Sequence, residues 1–176
     1  MNNDVLSFYS GSPNRPPGLA PYERISSVSG YKELEQILNW RQKLSNFAVA
    51  PFKLDGKTWR TVEHYFQAQK LRLVDPELAE TFTVESGTFL GTEGTGLHAR
   101  KMRKAKLLSK ELLKIWDSQK DDYMEKAWKA KFSQNEEMKR VLLATGEAEL
   151  FHAGPRIPLE RFLGLETIRI ELKNNN

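Results

Sequence analysis

Apolar and polar positions alternate with two different periods along the chain. Residues 5–9 form a short apolar run typical of a strand. Over 31–44, apolar residues recur every three or four positions, which predicts one amphipathic helix. Two short alternating runs, 52–54 and 57–59, flank Asp55-Gly56. Because glycine accepts positive φ, this dipeptide between two runs predicts a β-hairpin.

Start and stop signals predict helices over most of the remaining chain. Thr61 is a typical helix cap, and Gly146 is a typical helix stop. Four of the eight prolines fall within 11–21, which predicts an irregular loop, and glycines favour another loop over 86–96. The predicted helices cover about 62–74, a segment that begins at Asp75-Pro76, most of 97–145, and 163–172.

Together these elements predict the fold class. The sequence indicates a mainly α (α+β) protein, in which packed helices accompany a small β-hairpin element. The length of 176 residues fits a single domain over 1–176, with a frayed tail at about 173–176.

Composition removes several classes of function. The chain has no cysteine, which excludes disulfides, iron–sulfur centres and thiol nucleophiles. Its three histidines stand far apart in sequence, so a metal site is not expected. The opening residues do not resemble a secretory signal, and no apolar run approaches the roughly 20 residues that span a bilayer. We therefore expect a cytoplasmic or nuclear protein without a membrane partner.

The excess of basic residues is local. The chain has 27 basic and 23 acidic residues, a formal charge of +4. Seven basic residues and one acid fall within 100–114, so this segment carries +6 and each flanking region carries −1. General attraction to nucleic acid or membranes is disfavoured, and a local anion site is favoured.

The segment 61–70 contains the residues best suited to chemistry. On a helix, Glu63 and Lys70 differ in direction by only about 20°, and Gln67 lies between them. The three polar groups form one stripe about 10 Å long. A polar stripe is usually a solvent-exposed face, but the aromatic residues around this one also favour an active site. A buried glutamate and lysine would have shifted pKa values, which suits acid–base or Schiff-base chemistry.

Several motifs together resemble the NADAR (YbiA-like) family. The resemblance covers most of residues 6–150 and is most specific in the Glu-His-Tyr-Phe-Gln-Ala-x-Lys run behind an Asp-Gly hairpin. The matching segments are Phe8-Tyr9, 45–48, 54–59, 61–70, Trp116, 131–135 and 142–146.

This resemblance implies an N-glycosidase that needs no cofactor. Members hydrolyse the bond between ribose C1′ and a nitrogen, either in ADP-ribosylated guanine or in phosphoribosylamino-pyrimidine intermediates of riboflavin synthesis. By motif position, the catalytic residues are Glu63 and Lys70, and Lys70 is expected to form a Schiff base with C1′. The implied partner is a ribosylated base, with DNA or RNA as its carrier in one interpretation.

Further residues are predicted to bind the substrate, and Trp128 is assigned to packing. Asn46 matches a ligand-contacting asparagine of the family, and Phe47, Trp59 and Tyr65 are candidates for base stacking, with core packing as the alternative. Arg100 or Arg103 is expected to hold phosphate, while the rest of the basic run is either a nucleic-acid contact or a solvated face. The full predicted binding set is Phe8, Tyr9, Ser45, Asn46, Phe47, Trp59, Tyr65, Gln67, Arg100, Arg103, Trp116, His152 and Arg156.

The sequence departs from the family near its end. The usual Asp-x-x-Trp-Gly-x-Gly loop is missing, and His152 and Arg156 lie in the segment that replaces it. The helix predicted over 31–44 is also an addition. Both changes favour ADP-ribosylated guanine over the riboflavin intermediate as substrate. Two other classes remain: a non-catalytic reader of ADP-ribose or nucleotides, and a nucleic-acid-binding domain that uses 100–114.

Overall fold

The computed structural model describes residues 4–175 and divides them into two compact units. We call residues 46–135 the central unit and the remaining residues, 1–45 with 136–176, the terminal unit. The mainly α class with small β-elements is confirmed. Residues 1–3 and Asn176, which include the end of the predicted frayed tail, lie outside the described part.

The terminal unit combines a small sheet with four helices. Strand β1 pairs in parallel with β4, and β4 pairs antiparallel with β5. All four residues of β1 are buried, as in a strand covered on both faces. Helix α8 contacts α1, α2 and α9. The elements are β1 (Val5–Phe8), α1 (Lys32–Glu35), α2 (Trp40–Leu44), α8 (Glu136–Ala144), β4 (Glu149–His152), β5 (Glu160–Arg161) and α9 (Leu163–Asn174).

The predicted single helix over 31–44 is wrong. The structure has two short helices, α1 and α2, because Asn39 adopts a left-handed conformation with φ of 55°. This break turns Trp40 and Arg41 into the interior and leaves Leu38 65% exposed, although the helical spacing had favoured Leu38 as a core position. The loop predicted over 11–21 contains no helix or strand.

The central unit packs other helices around one buried helix, α3. The Asp-Gly hairpin is confirmed, since Asp55 and Gly56 both have positive φ between strands β2 and β3. Glycine-rich 86–96 is not simply a loop, because threonine caps begin two short helices within it. The elements are β2 (Phe52–Leu54), β3 (Lys57–Trp59), α3 (Val62–Arg72), α4 (Pro76–Glu80), α5 (Phe89–Thr92), α6 (Gly96–Lys101) and α7 (Lys110–Gln134).

The core of the central unit explains why α3 is held firmly. Trp59, Tyr65 and Phe82 are completely buried, and α3 contacts α4, α6 and α7.

Within residues 4–175, no helix is both long and apolar enough to cross a membrane.

Candidate active site

Helix α3 is fixed at its start by a buried cap. Thr61 accepts a hydrogen bond from the backbone N–H of His64 at 3.2 Å, as the sequence predicts. The His64 ring bonds Thr61 Oγ1 through Nδ1 and the Leu90 carbonyl through Nε2. Burial lowers the pKa of His64 to about 4, so the ring is neutral near pH 7. His64 is therefore a positioning residue that links the start of α3 to α5 at Leu90.

The polar stripe on α3 is not a solvent-exposed face. Glu63 and Gln67 are only 7% and 6% exposed, and Lys70 is half-buried. The geometry therefore favours the second interpretation of the stripe, in which the protein interior surrounds its polar groups. Residues of this kind are retained inside a protein when they serve a hydrogen-bond network or a reaction.

Glu63 is held at two points, and no cation among residues 4–175 is in hydrogen-bond contact with it. Its Oε1 accepts a 2.8 Å hydrogen bond from Gln67 Nε2, and its backbone N–H donates to the Asn46 carbonyl at 3.1 Å. Burial raises the pKa of Glu63, while the Gln67 hydrogen bond and the charges of Arg100 and Arg103 oppose that rise. The carboxyl consequently holds a proton to higher pH than an ordinary glutamate does.

Two further groups on the stripe are open to a ligand. Gln67 Oε1 is buried and has no hydrogen-bond partner among residues 4–175. An unpaired buried acceptor is costly, so a ligand hydroxyl or N–H that reached it would gain a favourable contact. The Lys70 ammonium likewise makes no hydrogen bond or ion pair within the described chain.

Aromatic rings stand beside the stripe. Phe66, on α3, meets Trp116 of α7 edge to face at a centroid distance of 4.9 Å. Trp116 in turn stacks on Tyr123 at 6.0 Å. Phe47 lies under the guanidinium of Arg100 at 6.0 Å and packs tightly against Gly96. The sequence-predicted Phe47, Trp116 and Gln67 thus belong to the same unit as Glu63 and Lys70.

Asn46 is engaged more fully than the sequence suggests. Its Oδ1 accepts a 2.6 Å hydrogen bond from Trp128 Nε1, and its Nδ2 lies 3.5 Å from Met124 Sδ. Since the Asn46 carbonyl also holds Glu63, Asn46 links α7 to the start of α3. Trp128, which the sequence assigns only to packing, is a positioning residue that the prediction missed; the signal available in the sequence was its indole N–H, a donor that usually needs an acceptor when it packs inside a protein.

Three of the predicted binding residues have no exposed surface in this structure, which agrees with the alternative of core packing. Trp59 is completely buried and donates to the Leu54 carbonyl at 2.9 Å. Tyr65 is also completely buried, and its hydroxyl donates to Asp55 at 2.8 Å. Phe8 has no exposed surface either. All three are core residues.

The other predicted residues from the two ends of the chain lie in the terminal unit. Ser45 is 2% exposed and follows the last residue of α2. The ring of His152 stacks on that of Phe162 at a centroid distance of 5.1 Å, so it packs within the unit. Tyr9 and Arg156 line a cavity of this unit. Substrate contacts by these residues stay predictions.

The basic run is not one uniform surface. Arg100 and Arg103 are exposed and, with Lys101 and Lys104, line a shallow cavity of about 310 Å³. Lys106 instead forms an ion pair with Asp75 at 3.4 Å. The first part of the run is therefore the part that concentrates positive charge around one depression.

Residues 4–175 contain no group of three or more side chains suited to hold a metal ion.

Comparison with known proteins identifies the family of this chain. The family model for the NADAR domain matches residues 32–157, so this chain belongs to the NADAR domain family. It is 42% identical over 106 residues to N-glycosidase YbiA of Escherichia coli, a match that covers 60% of this chain and 59% of that protein. The chain thus spans about three fifths of that relative's length.

Two further similarities extend over more of the chain. Riboflavin biosynthesis protein PYRR of Zea mays is 32% identical over 157 residues, which cover 86% of this chain and 24% of that protein. The NMR structure of E. coli YbiA matches with a TM-score of 0.61 and 27% identity, over 99% of this chain and 86% of the other. The fold is therefore shared with YbiA almost throughout.

Proposed function

We propose that this protein is an N-glycosidase that hydrolyses the bond between ribose C1′ and a nitrogenous base. One observation carries the proposal: within the described part of the chain, a buried glutamate without a cation partner shares a helix stripe with a lysine that makes no ion pair. A structural glutamate at such a position would normally be neutralised by a bound cation. The similar protein from E. coli is named N-glycosidase YbiA, which supports the same reaction class.

The proposed mechanism uses both side chains. Glu63 donates a proton to the ribose ring oxygen as the ring opens, and the Lys70 amine attacks C1′. The proton that the Lys70 nitrogen loses passes to the nitrogen of the departing base, and the bond from C1′ to the base breaks as the imine to Lys70 forms. Water then adds to the imine carbon, the Lys70 amine is released with the free sugar, and Glu63 regains its proton from that water. The net reaction consumes one water molecule for each base released.

ADP-ribosylated guanine, as a nucleoside or within DNA or RNA, is the proposed substrate. Arg100 and Arg103 are exposed beside one depression and their charges act on Glu63, which suits a substrate whose pyrophosphate lies close to the glycosidic bond. The missing Asp-x-x-Trp-Gly loop also supports a divergence from the riboflavin intermediate.

A phosphoribosylamino-pyrimidine is the second candidate. The similarity to a riboflavin biosynthesis protein over 86% of this chain favours it. This substrate has a single phosphate, so it would need only one of the two arginines.

The test is release of free base from each substrate by the full-length protein. We expect guanine release from ADP-ribosylated guanosine, and a covalent sugar adduct on Lys70 when borohydride is added during turnover. Lys70→Arg keeps the charge but forms no imine, so it should lose both release and adduct. Lys114→Arg, on the exposed part of α7, is the matched control and should retain both.

Each result separates the alternatives. Release from the pyrimidine substrate alone would support the second candidate. Binding of ADP-ribose without release of any base would contradict the enzyme and favour a reader. Normal turnover by Lys70→Arg would overturn the Schiff-base route.

A further inference from the structure

A cavity of about 440 Å³ is lined by two segments of the terminal unit that are distant in sequence. One segment lies within residues 7–22 and the other within 153–157. Pro21, Ala153 and Ile157 give the cavity an apolar lining, and its volume is in the range of pockets that hold small ligands. Glu63 and Lys70 do not line this cavity, although Tyr9 and Arg156, two of the predicted substrate contacts, do.

The first segment is held in place by a buried ion pair. Glu23 and Arg41 are joined at 2.6 Å, and neither side chain is more than 1% exposed. Glu23 also accepts from the backbone N–H of Gly18 at 2.8 Å, and Arg41 donates to the Pro16 carbonyl at 2.9 Å. Residues 9–22, the loop of the first segment, are therefore fixed by charged groups, although they contain no helix or strand.

The ring of Tyr9 is wedged between two glycines. A Cβ atom at Gly11 would approach the ring to 2.9 Å, and one at Gly154 would approach it to 2.8 Å. Any larger residue at either position would push the ring away. The position of this aromatic wall is thus set by both segments.

Two residues of the lining have an unfavourable backbone conformation. Tyr22 and Arg156 have φ of 68° and 60°, in the left-handed region that aromatic and long side chains rarely adopt. The other two described non-glycine residues of this kind are Asn39 and Asp55, which tolerate it well. Strained residues cluster at functional sites, and Tyr22 and Arg156 both line this one cavity. Their backbone strain therefore favours a ligand-binding site here.

The charges of the cavity are unpaired. Arg15 and Arg156 are exposed, and neither guanidinium makes a hydrogen bond or ion pair with residues 4–175. Glu23 does not neutralise them, because its carboxylate is completely buried and bound to Arg41. The cavity therefore presents aromatic rings and two free guanidinium groups. Guanidinium groups bind phosphate by paired hydrogen bonds, and aromatic rings stack on flat heterocycles.

We propose that this cavity binds a nucleoside phosphate, with Arg15 and Arg156 on the phosphate and with Tyr9 and Tyr22 against the base. The proposal does not depend on the hydrolysis proposed above. It concerns a binding site and includes no covalent step.

Calorimetric titration of the full-length protein with AMP, adenosine and inorganic phosphate tests it. AMP should bind at least tenfold more tightly than either fragment, because only AMP engages both the rings and the guanidinium groups. Tyr22→Gly and Arg156→Gly should each weaken AMP binding at least tenfold. Both variants should keep or raise the thermal midpoint, because glycine relieves the left-handed strain. Asn39→Gly makes the same substitution at a left-handed position outside the cavity and should leave AMP binding unchanged.

Several outcomes would overturn the proposal. Phosphate that binds as tightly as AMP would leave no role for the rings, and adenosine that binds as tightly would leave none for the arginines. AMP affinity that survives in the double variant Y22G/R156G would assign binding to other residues. Absence of AMP binding in the unmodified protein would contradict the site altogether.

Discussion

Two buried glutamates, one in each unit, have opposite surroundings. Glu23 of the terminal unit is bound by Arg41 through two nitrogens and by three backbone N–H groups, those of Ser7, Gly18 and Ala20. Among residues 4–175, the carboxyl of Glu63 in the central unit accepts one hydrogen bond, from the neutral amide of Gln67. The first carboxylate is saturated with donors and the second is not.

The difference separates a structural charge from a reactive one. A carboxylate with five donors gains nothing from a ligand and fixes the loop around it. A carboxyl in a buried site with a single neutral donor has a raised pKa and keeps the capacity to exchange a proton. The same residue type, buried in both cases, thus serves the fold in one unit and is a candidate for catalysis in the other.

The strongest test replaces Glu63 by glutamine. Glu63→Gln should lower kcat by roughly 10²–10⁴-fold, the usual contribution of a general acid or base. Stability should not fall. Since burial raises the pKa of Glu63, the wild-type protein loses stability as pH rises above the ordinary glutamate range, and the variant does not. Base-release assays and thermal unfolding from pH 4 to pH 8 measure both effects. Glu77→Gln, on the exposed surface of α4, is the control.

The reciprocal change should affect the fold. Glu23→Gln leaves Arg41 as a buried charge without its partner, so the free energy of unfolding should fall by roughly 3–5 kcal/mol. Urea unfolding measures this loss. A loss below about 1 kcal/mol would show that Glu23 is not the structural counterpart of Glu63. Glu35→Gln, an exposed acid of α1, should stay within about 0.5 kcal/mol of the wild type.

Sequence patterns predicted the local frame of the candidate site well. The Thr61 cap, the Asp-Gly hairpin and the spacing of Glu63, Gln67 and Lys70 depend on residues close together in the chain, and the structure has all of them. The break at Asn39 was not predictable from periodicity, because the apolar spacing continues through it. Burial of Trp40 overrides that spacing.

Long-range pairing accounts for the remaining errors. Strand β1 pairs with β4 across more than 140 residues, and no local signal in 149–152 distinguishes a strand there. The hydrogen bond from Trp128 to Asn46 joins residues 82 positions apart. The low exposure of Glu63 likewise depends on what α3 packs against, which residue spacing does not specify. The spacing of Glu63, Gln67 and Lys70 on one side of α3 follows from the sequence. The burial of Glu63 and its raised pKa follow from the fold.

A buried lysine of the central unit should make the stability of the protein depend on pH. Lys131 is 1% exposed, and burial lowers its pKa to about 7. Between about pH 7 and the ordinary lysine range, the unfolded chain therefore binds more protons, and stability should rise with pH by up to about 1.4 kcal/mol per unit. Lys131→Met should remove this slope, whereas Lys114→Met, at an exposed position, should keep it. Urea unfolding at pH 6.5, 8 and 9.5 measures it, and equal slopes in wild type and Lys131→Met would contradict the assignment.

The smallest expected effect tests how closely packing positions the candidate site. A Cβ atom at Gly96 would lie 2.7 Å from the backbone and ring of Phe47, so Gly96→Ala must displace Phe47 from its place beneath Arg100. We expect a loss of about 1–3 kcal/mol in stability and a raised KM for the phosphorylated substrate. Gly30→Ala is the matched control, because a Cβ there meets nothing within 4 Å. A Gly96→Ala protein with unchanged KM would show that Phe47 and Arg100 do not contact the substrate. Of the residues around Glu63, only those on α3 would then distinguish it from Glu23 as a candidate for catalysis.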